Sequence, residues 1–258
     1  MNRRNSSDFP PKDQMIMGIH SIQELLTHSP HKLLRLFTEK PKQGGRRMDL
    51  VNLCEKKKIP ITFVSTDALT QMTGSDGHQS VAAHIKDRLF LTIKDFIKRT
   101  EGKKKSLVLM LDQIFDPQNF GSLLRSAECL GADGVVWSKN RGTDLTPTVA
   151  KASSGASEIL PLIKISNLAE ALTQFQEADY EVVASLLDPK AESAFDFSFA
   201  LRTVLIVGSE GEGIQPLLAK KADRSVYIPM LGSIQSLNVS QGASILMAQY
   251  QCYHRNQN

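Results

Sequence analysis

The chain reads as an α/β protein in two units. Short apolar runs alternate with amphipathic segments along its length, as strands and helices do around a mostly parallel sheet covered on both faces. The polar run Thr100-Glu101-Gly102-Lys103-Lys104-Lys105 interrupts that alternation. Charge changes sign across the run. Residues 1–105 hold 20 Lys and Arg against 11 Asp and Glu, a net +9, whereas residues 106–258 hold 11 against 16, a net −5. The expected layout is a disordered tail over 1–15, a first unit over 16–99, a linker over 100–105 and a second unit over 106–258.

The elements follow in order. Ser21–Thr27 predicts a helix with Ile22, Leu25 and Leu26 on one face. Leu33–Phe37 predicts a strand, Met48–Lys57 a helix, Ile61–Val64 a strand and Thr66–Met72 a helix. After the loop Thr73–Gly77, Val81–Ile85 predicts a strand, and Thr92–Arg99 a helix. In the second unit Leu107–Leu111 has the short apolar run of a buried strand. Phe120, Leu123, Leu124, Ala127 and Leu130 recur at helical spacing, and Gly131 marks the stop. Strands are expected at Gly134–Trp137, Glu181–Leu186, Thr203–Val207 and Val226–Ile228, with helices at Thr148–Ser153, Leu168–Gln176 and Asn238–Tyr250.

Composition narrows the function classes. Apolar residues make up 41% and charged residues 22%, enough for an ordinary globular core. No apolar run approaches the ~20 residues that span a bilayer, and Met1–Met15 has no apolar signal region, so a cytoplasmic protein without a membrane partner is expected. Cys54, Cys129 and Cys252 are far apart and lack CxxC spacing, which predicts reduced, partly buried thiols and no metal site. A basic unit beside an acidic one suggests that the first meets a polyanion, although Lys56–Lys58 and Lys103–Lys105 also suit a solvated surface.

Three blocks in the second unit lie where a strand ends and a loop or helix begins, the place where open α/β sheets bind ligands. The first is Asp112–Gly121 running into Arg125. Asn119 starts the helix there, and Arg125 lies beside the apolar face, where it must snorkel, pair or bind an anion. The second is Val207-Gly208-Ser209-Glu210-Gly211-Glu212-Gly213. It fails the dinucleotide fingerprint because Pro216 stands where the last glycine belongs. Glu210 and Glu212 would repel phosphates and favour a neutral or cationic ligand. The third is Tyr227–Ser240, in which Asn238 can cap the last helix and Ser236 can reach a ligand. Taken singly, each block also reads as a surface arginine, an acidic turn or a cap.

Taken together they resemble the three motifs of the SpoU (TrmH-type) branch of the SPOUT methyltransferases. The matching runs are Asp116-Pro117-Gln118-Asn119-Phe120-Gly121 with Arg125, then Gly208–Gly213, then Ile228-Pro229-Met230 with Ser236-Leu237-Asn238-Val239-Ser240. Lys151–Ala156 is similar to that family too. Gly18-Ile19-His20 and His78–Ala82 resemble its small N-terminal, ribosomal-protein-like RNA-recognition domain. Ser80 stands where family members usually carry Gly, and Gln241-Gly242 replaces an apolar pair.

The resemblance implies a SPOUT-type α/β knot catalytic domain with a C-terminal trefoil knot. It implies S-adenosylmethionine (SAM) bound by Gly208, Ile228 and Leu237, a homodimer, and an RNA substrate, with rRNA ahead of tRNA. Arg125 matches the catalytic arginine, and Asn119, Glu210, Ser236 and Asn238 match the other motif positions. The implied reaction is ribose 2′-O-methylation, with a guanosine of 23S rRNA as the favoured target. A non-catalytic RNA-binding protein would leave the three blocks unused, and a nucleotide-dependent oxidoreductase conflicts with the failed fingerprint.

Overall fold

The alternation of strands and helices resolves into two α/β units in a computed structural model that describes residues 10–41, 44–209 and 211–255. One unit comprises the chain up to Arg88 together with Leu145–Ile159. The other comprises Leu89–Asp144 and Leu160 onward.

In the first unit, β1 (Met15–Met17), β4 (Val81–Ile85), β2 (Leu33–Thr38) and β3 (Ile61–Phe63) form a sheet in that order. β4 runs antiparallel to both neighbours and β2 runs parallel to β3. Helix α1 (Ile19–His28) turns Ile22, Leu25 and Leu26 onto the sheet, and α2 (Arg46–Lys56) adds Leu50, Val51 and Cys54 to the same core. Helix α3 (Thr66–Thr73) begins on the Ser65 hydroxyl, which accepts from the Ala68 N–H, and stops at Gly74 in the left-handed region. Met15, expected in a tail over 1–15, is fully buried as the first residue of β1; residues 1–9 of that expected tail lie outside the described residues.

The segments 18–20 and 78–82, which carry the resemblance in this unit, meet in space. The Ile19 N–H donates to Gln79 Oε1 at 3.1 Å. Gln79 and Ser80 both adopt positive φ, 56° and 59°, a region that an L side chain enters at a cost. His78 holds this turn. Its Nδ1 accepts from the Ser80 N–H at 3.0 Å, which leaves the proton on Nε2 to be given to Thr70 Oγ1 at 3.1 Å. Ser80 also has a use that Gly would lack. Its hydroxyl bonds to Glu39, and with Thr66 and Arg47 it holds that carboxyl below its ordinary pKa. Ser80→Val keeps the positive φ but adds a β-branch and removes the hydroxyl. It should lower stability by about 1–2 kcal/mol, read as a lower denaturant midpoint at unchanged m-value.

Two expectations about the layout are corrected. The division falls at Arg88/Leu89, because α4 (Ile93–Thr100) is packed into the second core. Phe96 is fully buried there, 6.0 Å from the Phe175 ring, and lies so close to Gly134 that a Cβ at that glycine would sit 2.6 Å from its ring. In addition, α6 (Pro147–Ala152) and the turn after it belong with the first unit. Ser21 Oγ donates to the Ala150 carbonyl at 3.0 Å, and Arg88 pairs with the buried Glu158 at 2.7 Å. Gly155, at φ 92°, brings its backbone against Glu24, whose Cβ would lie 2.8 Å from any side chain placed there.

The second unit is a parallel sheet in the order β7 (Leu162–Ile165), β6 (Gly134–Ser138), β5 (Ser106–Leu111), β10 (Arg202–Val207), β8 (Glu181–Ser185), β11 (Arg224–Tyr227), β9 (Glu192–Ser193). Helices α5 (Pro117–Cys129), α7 (Leu168–Glu177), α8 (Pro216–Lys221) and α9 (Val239–Arg255) complete it. The chain builds outward from β5 to β7, then returns on the other side. β10 enters between β5 and β8, and the order reverses there, as at the ligand crevice of open α/β sheets. Strands β1, β7 and β9 and helix α8 were not expected from periodicity; each is two to six residues long. No helix among the described residues is long and apolar enough to cross a membrane.

The thiols are free, but they are not alike: Cys54 is buried while Cys129 and Cys252 are exposed. Burial pushes the Cys54 pKa up to about 11. Titration with a thiol reagent should therefore find two fast thiols in the native protein and the third only on unfolding.

Candidate cofactor cavity and active site

The second and third blocks form one wall. β10 ends at Val207, and Gly208 follows with no room for a side chain: a Cβ would lie 2.1 Å from the Gly213 carbonyl oxygen. The chain doubles back tightly, with Ser209 N–H donating to Gly213 O at 3.1 Å and Gly213 N–H donating to Ser209 O at 3.0 Å. Asp112, fully buried at the end of β5, fastens this loop by accepting from the Gln215 backbone N–H at 2.7 Å and from its side-chain amide.

Beyond the loop lies a cavity of about 570 Å³ at the carboxyl ends of β8, β10 and β11. Gly208, Ile228, Ser236, Leu237 and Asn238 all line it, together with Leu186, Met230 and Gly242. No charged residue lines it among the described residues. Glu210 lies outside the described residues, and Glu212 is not part of the lining. The described lining carries no charged side chain and combines aliphatic surface with backbone and amide groups. That chemistry and size suit a nucleoside-class ligand.

The first block joins at one point. Asp116 caps α5 by accepting from the Asn119 N–H at 2.9 Å. The Asn119 side chain then accepts from Asn238 Nδ2 at 2.8 Å, across 119 residues of sequence. Asn238 Oδ1 accepts from the Ser240 N–H at 2.9 Å and the Ser240 hydroxyl at 2.6 Å, the expected cap of α9. Lower down, Ser244 donates to Ser126 at 2.7 Å, so α5 and α9 are tied along their length.

Arg125 is not brought into the cavity. It is exposed on α5, with no hydrogen bond or ion pair among the described residues. Its residue type fits an anion arriving from solvent. At Gly242, where the sequence departs from an apolar pair, an added Cβ would come no nearer than 3.7 Å to Ile228 Cδ1, so this glycine opens the cavity wall. Asp112, Gln215 and Leu186 were missed as parts of the site. Only Asp112 lay within a motif block, and periodicity carries no signal for a partner about 100 residues away.

A parallel sheet with a glycine-walled cavity at its switch point places the protein among α/β folds that bind ligands at the carboxyl ends of their strands. The chain belongs to the SpoU rRNA methylase family, whose model matches residues 106–248, and the model for the RNA 2′-O ribose methyltransferase substrate-binding domain matches residues 15–90. The fold is therefore the family's: an α/β methylase domain preceded by a smaller α/β substrate-binding domain. It is 34% identical over 237 residues to the 23S rRNA (guanosine-2′-O-)-methyltransferase RlmB of Acinetobacter baylyi, covering 92% of this chain and 96% of that one. It is 34% identical to a putative TrmH family tRNA/rRNA methyltransferase of Bacillus subtilis, covering 93% and 95%. Among solved structures, the SpoU methyltransferase AviRb of Streptomyces viridochromogenes shares the fold at a TM-score of 0.76 and 21% identity, covering 95% and 91%.

Proposed function

We propose that the protein transfers the methyl group of SAM to the ribose 2′-oxygen of a guanosine in 23S rRNA. The observation that carries this is the convergence of residues from the second and third motif blocks, Gly208 with Ile228, Ser236, Leu237 and Asn238, on one cavity that the Asn119–Asn238 bond links to the first block. The rRNA target is supported by the names of the relatives that match over most of both chains. The Bacillus subtilis relative's name admits tRNA as the second reading.

The cavity fits SAM. Gly208, Ile228 and Leu237 would hold it, with backbone groups meeting its polar edges and the aliphatic wall its adenine. When bound, SAM supplies an activated sulfonium methyl. The protein's work is then to align the ribose hydroxyl and manage its proton. Arg125 would bind the adjacent phosphate and stabilise the developing alkoxide, because a guanidinium keeps its proton and serves poorly as a base. Asn119 and Asn238 would set the cavity edge, and Ser236 and Glu210 would stand close to the reacting groups. The stretch from β10 to α9 would form the trefoil knot. A cytoplasmic homodimer completes the reading. Leu231, Ile234 and Leu187 are 93%, 78% and 80% exposed beside the cavity, an apolar surface that a second copy would cover.

Mass spectrometry of rRNA and tRNA from a deletion strain should find one 2′-O-methylguanosine missing from 23S rRNA. Unchanged rRNA with a methyl missing from tRNA would move the target to the second reading. Calorimetry should show binding of SAM and not of NAD or ATP.

A further inference from the structure

The lysine-rich segment before residue 106 does not belong to the first unit, and this leaves a basic surface on the methylase unit unexplained. Residues 89–105 carry six Lys and Arg against two acids, so +4 of the charge first credited to the RNA-recognition unit lies on the methylase unit. A second cavity, of about 530 Å³, opens there. Its lining includes Lys94, Lys98, Lys103 and Arg202, against Glu101 and Asp179. It lies at the amino ends of β5, β8 and β10, whereas the cofactor cavity lies at the carboxyl ends of β8, β10 and β11. The two are separated by the length of a six-residue strand, about 20 Å at ~3.3 Å per residue.

The details point to an anion. Lys94 and Lys98 are one turn apart on α4, so like charges share a face, an arrangement that costs helix stability. Both are exposed, and neither has a hydrogen bond or ion pair among the described residues. Arg202 is fixed by construction. Its guanidinium lies 4.3 Å over the Tyr180 ring, and Nη1 donates to the Thr100 carbonyl at 3.0 Å and the Lys103 carbonyl at 3.4 Å. Tyr180 is itself held through its hydroxyl by Thr100 at 2.9 Å and Ser106 at 2.8 Å. A guanidinium anchored on one edge presents the other to whatever enters the cavity. Lys103 is partly committed, to Asp133.

We infer that this cavity is a second RNA-backbone site, in which Lys94, Lys98 and Arg202 take phosphates of the substrate RNA about 20 Å from the cofactor cavity. It rests on the RNA-methylase reading above but concerns a surface which that reading does not use. RNA held at both ends of the sheet must run along the methylase unit, so an RNA long enough to reach both sites should be the better substrate.

The test compares the full-length protein with Lys94→Ala/Lys98→Ala, using a transcript of a 23S rRNA domain. Binding is measured from 50 to 200 mM salt, beside the KM for the transcript. Losing two phosphate contacts should lower the slope of log K against log salt by about 1.4–1.8. The KM should rise about tenfold, with SAM affinity unmoved. An unchanged slope and KM, with the wild type methylating the transcript, would overturn the second site alone. A lowered slope with no methylation of any RNA by the wild type would overturn the methylase reading and leave the phosphate site standing.

Discussion

Arg125→Ala should lower kcat by about 10²–10³-fold while SAM affinity stays within about twofold. The magnitude is that of removing one preorganised donor from a charge-developing transition state. The residue is exposed, absent from the cavity lining and without a partner among the described residues, so truncating it disturbs neither the fold nor the cofactor wall. That separation makes the substitution informative. Arg125→Lys should recover part of kcat, because a point charge still stabilises an alkoxide, but it loses the bidentate grip on phosphate, and the KM for RNA should stay high. Full activity in Arg125→Ala would remove this side chain from the chemistry altogether.

Gly208→Ala should act on the opposite half of the site. The added methyl would meet Gly213 backbone at 2.1 and 2.2 Å and Ile214 N at 2.5 Å, and none of these can yield as a flexible side chain would. The Ser209–Gly213 bridge must open or the end of β10 must shift, at a cost of roughly 1–3 kcal/mol. Because the same residues wall the cavity, SAM affinity should fall about 10–100-fold, together with stability. Gly211→Ala is the control. It sits in the same loop, but a Cβ there meets nothing within 4 Å, so it should bind SAM nearly as the natural chain does.

The sequence is most legible where packing is periodic. Helices α1, α5 and α7 and strands β5 and β10 carry apolar residues at the spacing their burial requires, and each is found within a few residues of its expected span. Short edge elements are not legible. β9 is two residues long and gains its identity only by pairing with β11, and β1 starts at a methionine that looks like the end of a polar tail. The unit boundary misled for a related reason. Thr100–Lys105 is polar and turn-like, yet Ile93 and Phe96 just before it are core residues of the second unit. A hydrophilic run marks a surface turn, not necessarily a domain edge.

The site shows the same division. Gly208, Ile228 and Leu237 are the positions that the family resemblance implies for the cofactor, and all three line one cavity. What motif order could not supply was the rest of the lining, such as Leu186 at the end of β8. Nor could it show that Asn119 and Asn238 are partners, since that bond exists only once α5 and α9 lie side by side. The departure at Ser80 is the instructive case. The turn that glycine would favour is present with two non-glycine residues at positive φ, and the His78 ring and the Ser80–Glu39 bond stabilise it locally.

One measurement tests the central reading most directly. Purified protein is incubated with methyl-labelled SAM and a 23S rRNA transcript, and the RNA is digested to nucleosides for mass spectrometry. Label is expected in 2′-O-methylguanosine, at a single site, and with Arg125→Ala it should accumulate about 10²–10³-fold more slowly. Label on a base, or no transfer to any RNA despite SAM binding, would contradict it.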